Sequence, residues 1–267
     1  MFGAIYGDIV GSYYEVHCTK NYDFPLHPDS TFTDDTVLTA ATCKAILINS
    51  EPVTRRTMKT RALEYAAQYR QFYSYYPHAG FGQMFRQWAS DGSMRRQHSY
   101  GNGAAMRAVP IGYAYDDMEQ VLLQAKASCL FTHDHREAIA GAQAVAAAVW
   151  LARRGKSKDE IRRFLTAEFR YDLSASVGDI RGSYVFDSRT IYSVPPAIVA
   201  FLDSCDYESA VRNAISLGGD ADTLACIAGG IAEAFYGEIP RHIRSFCDIR
   251  LDMTIKSVAR QFMERFA

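Results

Sequence analysis

With 267 residues, 48% of them hydrophobic and 22% charged, the chain has the composition of an ordinary globular protein and can bury a full core, which excludes a disordered polypeptide. Its formal net charge of -1, from 29 basic and 30 acidic side chains, argues against an electrostatic nucleic-acid binder, because such proteins usually carry a basic surplus. The six cysteines show no CxxC spacing, so we expect neither a thiolate zinc site nor a disulfide framework.

The apolar segments are too short or too polar to indicate membrane insertion or secretion. The longest apolar run, 138–152, contains Gln143 and falls short of the roughly 20 residues that a spanning helix needs. The apolar N-terminus carries Asp8 and no positively charged leader, which is a poor match to a signal peptide. We therefore expect a cytoplasmic protein that does not bind membranes.

Helical periodicity dominates the chain, and alternating strand patterns are scarce, so the sequence predicts a single all-α domain over residues 1–267. The predicted helices cover residues 2–15, 34–49, 52–72, 80–90, 103–113, 117–130, 134–153, 157–168, 195–203, 207–216, 221–236, 239–246 and 252–265. The Pro195-Pro196 pair is interpreted as a helix start, and residues 171–190 are predicted to form a long loop, which could be functional. The helices over 138–153 and 224–236 are rich in small apolar residues and are expected at the buried centre.

The first helix, "GAIYGDIVGSYYE", places Gly3, Gly7 and Gly11 on one face at four-residue spacing. Each glycine costs a helix interior roughly 1 kcal/mol relative to alanine, so three of them predict close approach by another helix or by a ligand. Asp8 and Glu15 lie two helical turns apart on this helix. Either could be a metal ligand or support one, although a cap or salt bridge explains Asp8 equally well.

The second helix begins with "TFTDDTVL", in which Thr33 precedes the adjacent carboxylates of Asp34 and Asp35. Helix capping is one interpretation, because a threonine N-cap and acids in the first turn stabilise a helix by roughly 1 kcal/mol. A site for a hard cation is the other, because carboxylates beside hydroxyls are the oxygen donors that Mg²⁺ or Mn²⁺ prefers.

Two further motifs precede helices in the middle of the chain. In "YGNGAAMRAVPIGY", Gly101, Asn102 and Gly103 could form an anion site from free backbone N–H groups, although such tripeptides are more often ordinary turns. In "FTHDHREAIAG", His133 and Asp134 could belong to an HD-type metal phosphohydrolase with His98 as a partner. That alternative leaves the acidic turns unexplained.

The motif "SLGGDADTLACIAGG" repeats the chemistry of the second helix, with Asp220, Asp222 and Thr223 at the start of a buried helix. A helix gains little from three closely spaced acids whose charges repel. Two such turns together carry enough negative charge to hold two divalent ions roughly 3.5 to 4 Å apart, as in two-metal hydrolysis. We therefore favour a dinuclear metal site.

Taken together and in this order, the motifs resemble those of the ADP-ribosylglycohydrolase family, which includes the dinitrogenase-reductase-activating glycohydrolases. The resemblance runs from "GAIYGDIVGSYYE" and "FTDDTVLTAA" through "GNGAAMRAVPIGY" and "THDHREAIAGA" to "GGDADTLACIAGGIAEAFYG". It implies an orthogonal all-α helical bundle with two Mg²⁺ or Mn²⁺ ions in a cleft. It also implies cleavage of the bond between C1″ of ADP-ribose and a modified acceptor.

Matched motif by motif, the resemblance implies a role for each site residue. The implied metal ligands are Thr33, Asp34, Asp35, Asp220, Asp222 and Thr223. Glu15 would be a ligand or gate near the metals and a candidate acid for the leaving group, and Asp34 or Asp35 would orient the attacking water. The implied substrate-binding residues are Gly101, Asn102, Gly103, Ala105, Met106 and His133. Residues 81–84 would lie near the substrate.

The expected partner is an ADP-ribosylated protein, modified on arginine or serine, or a small ADP-ribosyl conjugate, and we expect a monomer. An ADP-ribosylated nucleic-acid base stays open as an acceptor. Besides the HD-type phosphohydrolase, a catalytically silent ADP-ribose-binding relative is an alternative. Retention of four clustered aspartates argues against it, because partly buried like charges cost several kcal/mol without a cation.

Overall fold

The computed structural model describes residues 1–267 and contains helices but no strands, which confirms the all-α prediction. The helices are α1 (Phe2–Val16), α2 (Asp34–Ile48), α3 (Met58–Tyr75), α4 (Gln83–Ser90), α5 (Val109–Ala114), α6 (Met118–Cys129), α7 (Arg136–Arg153), α8 (Lys158–Phe169), α9 (Val177–Arg181), α10 (Thr190–Leu202), α11 (Tyr207–Ser216), α12 (Ala221–Tyr236), α13 (Arg241–Asp248) and α14 (Met253–Phe266). A 3₁₀ turn, Asn102–Ala104, precedes α5. None of these helices is long and apolar enough to cross a membrane.

The glycines of α1 mark its contact with α12, as the spacing predicted. A Cβ atom added to Gly3, Gly7 or Gly11 would lie 2.4, 2.1 or 2.5 Å from the carbonyl oxygen of Gly229, Ala225 or Ala221, respectively. No side chain fits at such distances, so the two backbones are in direct contact in an antiparallel arrangement. This contact fixes the end of α1 beside the start of α12, where the acidic residues lie.

Helix α12 lies at the centre of the molecule. All its residues from Ala221 to Ala232 are buried, and the hydrophobic ones belong to one continuous cluster of 81 buried residues. Helix α7 packs against it and is also largely buried, as expected for its small-residue sequence. The first turn of α12 therefore reaches the cleft from a rigid interior element.

Helix α10 begins at Thr190 rather than at Pro195, which corrects the predicted helix start. The Thr190 hydroxyl donates to the carbonyl oxygens of Tyr100 and Gly101, at 2.9 and 2.8 Å, and anchors the first turn. Pro195 and Pro196 lie inside the helix, where each removes one backbone donor. The Tyr192 carbonyl, four residues before Pro196, accepts from the Tyr184 hydroxyl at 3.0 Å, which replaces one of the lost bonds.

Two other helices begin well after their predicted starts, and the predicted long loop over 171–190 contains the short helix α9. Helix α3 begins at Met58 rather than at residue 52, because the hydroxyls of Thr54 and Thr57 close a separate turn before it.

The helix predicted over 103–113 is interrupted before α5. Pro110 has no N–H to donate to the Met106 carbonyl, which instead accepts from Thr39 Oγ1 and Cys226 Sγ, both at 3.4 Å.

Candidate metal centre and substrate cleft

A cleft of about 430 Å³ opens where the N-terminal ends of α2 and α12 meet the 3₁₀ turn before α5. All but one of the residues predicted for the site line it: Glu15, Thr33, Asp34, Asp35, Gly101, Asn102, Gly103, Met106, His133, Asp220, Asp222 and Thr223. Ala105 does not line the cleft, is fully buried, and donates its N–H to the Asn102 carbonyl at 2.7 Å. The cleft has no lysine or arginine in its lining.

Hydrogen bonds to the Asp8 carboxylate of α1 fix the turn before α2. The fully buried Asp8 carboxylate accepts from Thr33 N at 2.9 Å, from Thr33 Oγ1 at 2.7 Å and from Thr36 N at 3.1 Å. Asp8 thus serves as a helix cap supplied by another helix, and it fixes the position of Thr33. The motif alone did not assign this role, although a carboxylate on an otherwise apolar helix face was a usable signal.

The two acidic turns meet directly. Thr223 Oγ1 donates to Asp35 Oδ2 at 3.2 Å, and Thr33 Oγ1 lies 3.5 Å from the same oxygen. The other oxygen, Asp35 Oδ1, is buried and accepts no hydrogen bond from the protein. A buried carboxylate oxygen without a donor is costly, and a cation is one way to satisfy it.

Five carboxylates form two overlapping groups that could each hold a cation. The ligand atoms of Asp8, Asp35 and Asp222 lie within 4.8 Å of one another, as do those of Glu15, Asp220 and Asp222. Asp222 belongs to both groups. The helix start of α12 therefore lies between two candidate cation positions.

Burial and mutual repulsion raise the pKa of these acids. Burial, followed by the charges of Asp8 and Asp220, raises the pKa of Asp34 to about 8. Burial raises the pKa of Asp8 to about 6, and burial with neighbouring carboxylates raises the pKa of Asp35 and of Asp222 well above the usual range. Without a positive charge the cluster favours protonation, whereas a divalent cation would favour the ionised carboxylates.

Helix capping explains Thr33 but not the acids. Thr33 Oγ1 accepts from Asp35 N at 3.3 Å, as an N-cap does. Asp220 occupies the N-cap position of α12, but its side chain accepts no backbone N–H of the helix and instead accepts from Asn102 Nδ2 at 2.6 Å. Asp220 thus faces the cleft and the 101–103 loop rather than its own helix, whereas Asp222 Oδ1 accepts from Thr223 N of α12 at 2.9 Å.

The 101–103 loop is attached to both walls of the cleft. Besides the Asn102 contact with Asp220, Asn102 N donates to Ser188 O at 2.8 Å. Gly103 faces His133: an added Cβ would lie 3.0 Å from His133 Nε2. Gly103 lines the cleft and its backbone N–H has no protein acceptor, so it is free to bind a ligand.

His133 and Asp134 do not form a metal site together. His133 is buried, its Nδ1 lies 2.8 Å from Thr132 Oγ1, and burial and then Arg107 hold its pKa well below the usual range. The Asp134 carboxylate pairs with Arg96 at 3.1 Å. No group of three metal-ligating side chains includes a histidine, so the geometry gives no support to the HD-type interpretation.

Several other residues line the cleft but were not predicted for the site. One of them is Phe186, which lies in the segment between α9 and α10 and is 56% exposed. Its N and Cα atoms lie 3.2 and 3.1 Å from the Cβ position of Gly219, beside the turn that carries Asp220. Among the sequence-based predictions, only the long loop over residues 171–190 includes Phe186.

Comparison with known proteins agrees with these motifs. The family model described as ADP-ribosylglycohydrolase matches residues 1–267. ADP-ribosylhydrolase ARH3 of Homo sapiens is 26% identical over 98% of this chain and 92% of its own length, and that of Mus musculus is 27% identical over 98% and 90%. A solved structure described as an ADP-ribosylglycohydrolase-related protein complex has the same fold, with a TM-score of 0.72 and 23% identity over 99% of this chain and 95% of that one. The chain therefore belongs to the ADP-ribosylglycohydrolase family and is a hydrolase of glycosidic ADP-ribose linkages.

Proposed function

We propose that this protein removes ADP-ribose from a modified arginine or serine side chain, using two divalent cations, Mg²⁺ or Mn²⁺, bound between the turns at 33–35 and 220–223. The observation that carries the proposal is the convergence of five carboxylates in two groups that share Asp222, beside the unpaired Asp35 Oδ1. Carboxylate and hydroxyl oxygens are the ligands that these hard cations prefer. An oxygen-only donor set favours these hard cations over softer metals.

The proposed metal ligands are Thr33, Asp34, Asp35, Asp220, Asp222 and Thr223, with Glu15 as a further ligand or gate. When bound, the cations would hold the ribose hydroxyls and lower the pKa of a coordinated water. Asp34 or Asp35 would orient the attacking water, because both line the cleft and Asp35 also belongs to one of the two carboxylate groups.

Glu15 is the proposed acid where the leaving group needs a proton. Burial and the charge of Asp220 raise its pKa, so its carboxyl can carry a proton at a higher pH than an ordinary glutamate. A serine alkoxide would require that proton as the C1″–O bond breaks. A guanidinium leaving group needs none, so the contribution of Glu15 depends on the acceptor.

The diphosphate is proposed to lie on the 101–103 loop, near Met106 and His133. The free N–H group of Gly103 supports this placement, since the cleft offers no arginine or lysine to bind phosphate. Ala105 would stabilise the 101–103 loop rather than contact the substrate, because its N–H donates to Asn102 O and its side chain is buried. Gly82, Gln83 and Met84, from the segment predicted to lie near the substrate, also line the cleft.

The test is release of ADP-ribose from arginine-linked and serine-linked ADP-ribosyl peptides, each with Mg²⁺, with Mn²⁺ and with a chelator. We expect release from one peptide class, abolished by the chelator, together with a higher Tm in the presence of the preferred cation. The double substitution Asp35→Asn and Asp222→Asn should lower the rate by at least about a hundredfold. Asp116→Asn, at a fully solvent-exposed carboxylate, is the matched control and should leave the rate unchanged.

Three outcomes would overturn the proposal. Release that survives the Asp35→Asn and Asp222→Asn changes would place the active site elsewhere. Loss of the metal on His133→Ala and Asp134→Ala, with the acidic turns dispensable, would support an HD-type phosphohydrolase. Tight ADP-ribose binding without release from any conjugate would indicate a catalytically silent relative.

A further inference from the structure

Arg107 is a fully buried arginine with no carboxylate partner. Its guanidinium lies over the Tyr69 ring, 4.1 Å from the centroid, and its only hydrogen bonds run from Nη2 to Ser128 O at 3.1 Å and to Thr132 Oγ1 at 2.7 Å. Nε and Nη1 have no acceptor. Because burying a guanidinium without a counter-charge is costly, the few contacts that Arg107 makes call for an explanation.

The Thr132 hydroxyl connects this arginine to the cleft. A guanidinium can only donate, so Thr132 Oγ1 must accept from Arg107 Nη2. The other neighbour of this oxygen is His133 Nδ1, at 2.8 Å. Thr132 is 1% exposed, and Nδ1 is the one protein acceptor within reach of its hydroxyl hydrogen, so this hydrogen is assigned to the bond with Nδ1.

This arrangement decides which ring nitrogen carries the proton. If Nδ1 carried it, two donors would point at Thr132 Oγ1 and the hydroxyl hydrogen would have no acceptor. With Nδ1 as acceptor, the proton lies on Nε2, the atom that faces Gly103 and the cleft. We propose that Arg107, acting through Thr132, fixes His133 as a neutral imidazole whose Nε2–H donates to an oxygen of the non-reacting part of ADP-ribose.

Arg107 is a positioning residue in this proposal, since it does not line the cleft. Burial and the neighbouring Arg107 also hold the pKa of His133 well below its usual range, which agrees with a neutral ring. The Nε2–H donor complements the free N–H group of Gly103, which lies beside it in the cleft. The contact between His133 Nε2–H and ADP-ribose rests on the proposed function, whereas the assignment of the ring proton to Nε2 does not.

The test compares Thr132→Val, which removes the hydroxyl at nearly constant shape, with Thr132→Ser, which keeps it. Imidazole ¹H–¹⁵N correlation spectra of the Mg²⁺ form report the tautomer, and the His133 signal is identified by its loss in His133→Gln. In the wild type and in Thr132→Ser, we expect His133 Nδ1 to be unprotonated and Nε2 to be protonated. In Thr132→Val, we expect the Nδ1 signal to shift towards the value of a mixture of the two tautomers. Arg107→Met should give the same mixture as Thr132→Val, with thermal unfolding as the check that it folds.

Kinetics provide the second readout. A contact to the non-reacting part of the substrate contributes equally to the ground state and the transition state, so its loss appears in KM. We expect Thr132→Val to raise KM and the Kd for ADP-ribose by on the order of tenfold, with kcat within about twofold, and Thr132→Ser to restore both.

A protonated Nδ1 in the wild type, or a Thr132→Val protein with the wild-type spectrum and KM, would overturn the inference. The two proposals fail separately, because the spectra need no substrate. A wild-type spectrum as expected, in a protein that releases ADP-ribose from no conjugate, would overturn the proposed function and leave the tautomer assignment standing.

Discussion

Thr223 Oγ1 lies 3.2 Å from Asp35 Oδ2, although 188 residues separate the two along the chain. This hydrogen bond joins the first turn of α12 to the first turn of α2. It places the two acidic motifs on one wall of a single cleft. Both turns depend on α1, which contacts α12 through its glycines and α2 through Asp8.

Gly7→Ala should destabilise the protein by separating α1 from α12. The added Cβ would lie 2.1 Å from the Ala225 carbonyl oxygen, which is backbone and cannot rotate away. We expect a loss near the upper end of the about 1–3 kcal/mol typical of overpacking, or a Tm lower by roughly 5–10 °C. Gly182→Ala, where nothing lies within 4 Å of the added Cβ, is the matched control in the same thermal unfolding experiment. Equal Tm values for the two variants would contradict the close contact of the helices.

Asp8→Asn should weaken metal binding, because it removes one carboxylate from a candidate cation group and loosens the turn that carries Thr33. An asparagine has one acceptor oxygen in place of two, so it cannot receive Thr33 N, Thr33 Oγ1 and Thr36 N in the observed arrangement. We expect Thr33 to shift and the affinity for Mn²⁺, measured by calorimetry, to fall by roughly 10–100-fold.

The control for this change is Asp206→Asn, at the N-cap of α11, where Asp206 Oδ1 accepts from Ser209 N at 2.7 Å. Asparagine is an equally good N-cap, so this variant should bind Mn²⁺ like the wild type. Unchanged Mn²⁺ affinity in Asp8→Asn would show that the position of Thr33 does not depend on Asp8.

In the presence of a chelator, the wild type should lose stability relative to Asp34→Asn as the pH rises from about 4 to about 8. Burial and the charge of Asp8 raise the pKa of Asp34 from 3.8 to about 8, so between these values the folded state binds a proton that the unfolded state has released. That proton stabilises the fold below pH 4, and its contribution is lost as the pH passes through the folded pKa. Denaturant unfolding at several pH values measures the difference.

Mn²⁺ should reverse this trend, because the cation binds the ionised carboxylates and competes with protons. The free energy of unfolding in Mn²⁺ should therefore rise over the same pH range. The same pH profile for both proteins in chelator would mean that Asp34 titrates as an ordinary surface aspartate.

Phe186→Ala should raise KM with little change in kcat. Phe186 lines the cleft and is 56% exposed, so its ring is available to pack on the adenine or ribose of the substrate. We expect KM to rise by roughly three- to tenfold in steady-state assays with the preferred peptide. Val185→Ala, the neighbouring position, is 73% exposed, does not line the cleft, and should behave like the wild type. A kcat loss without a KM change would instead assign Phe186 a role in the chemical step.

The sequence by itself determined the all-α class, most helix ends, the glycine face of α1 and the two acidic turns, because these depend on local features: helical periodicity, capping residues and glycine spacing. Only the tertiary structure decided that Thr223 meets Asp35, that Asp8 caps another helix, and that Arg107 reaches His133 through Thr132. These contacts join residues far apart in the chain, and no local propensity encodes them. Helix α10 shows the same division, because its two prolines locally predict a helix start. The bond from Thr190 to the distant Tyr100 carbonyl anchors an earlier start, and the Tyr184 hydroxyl satisfies a carbonyl that the prolines leave free.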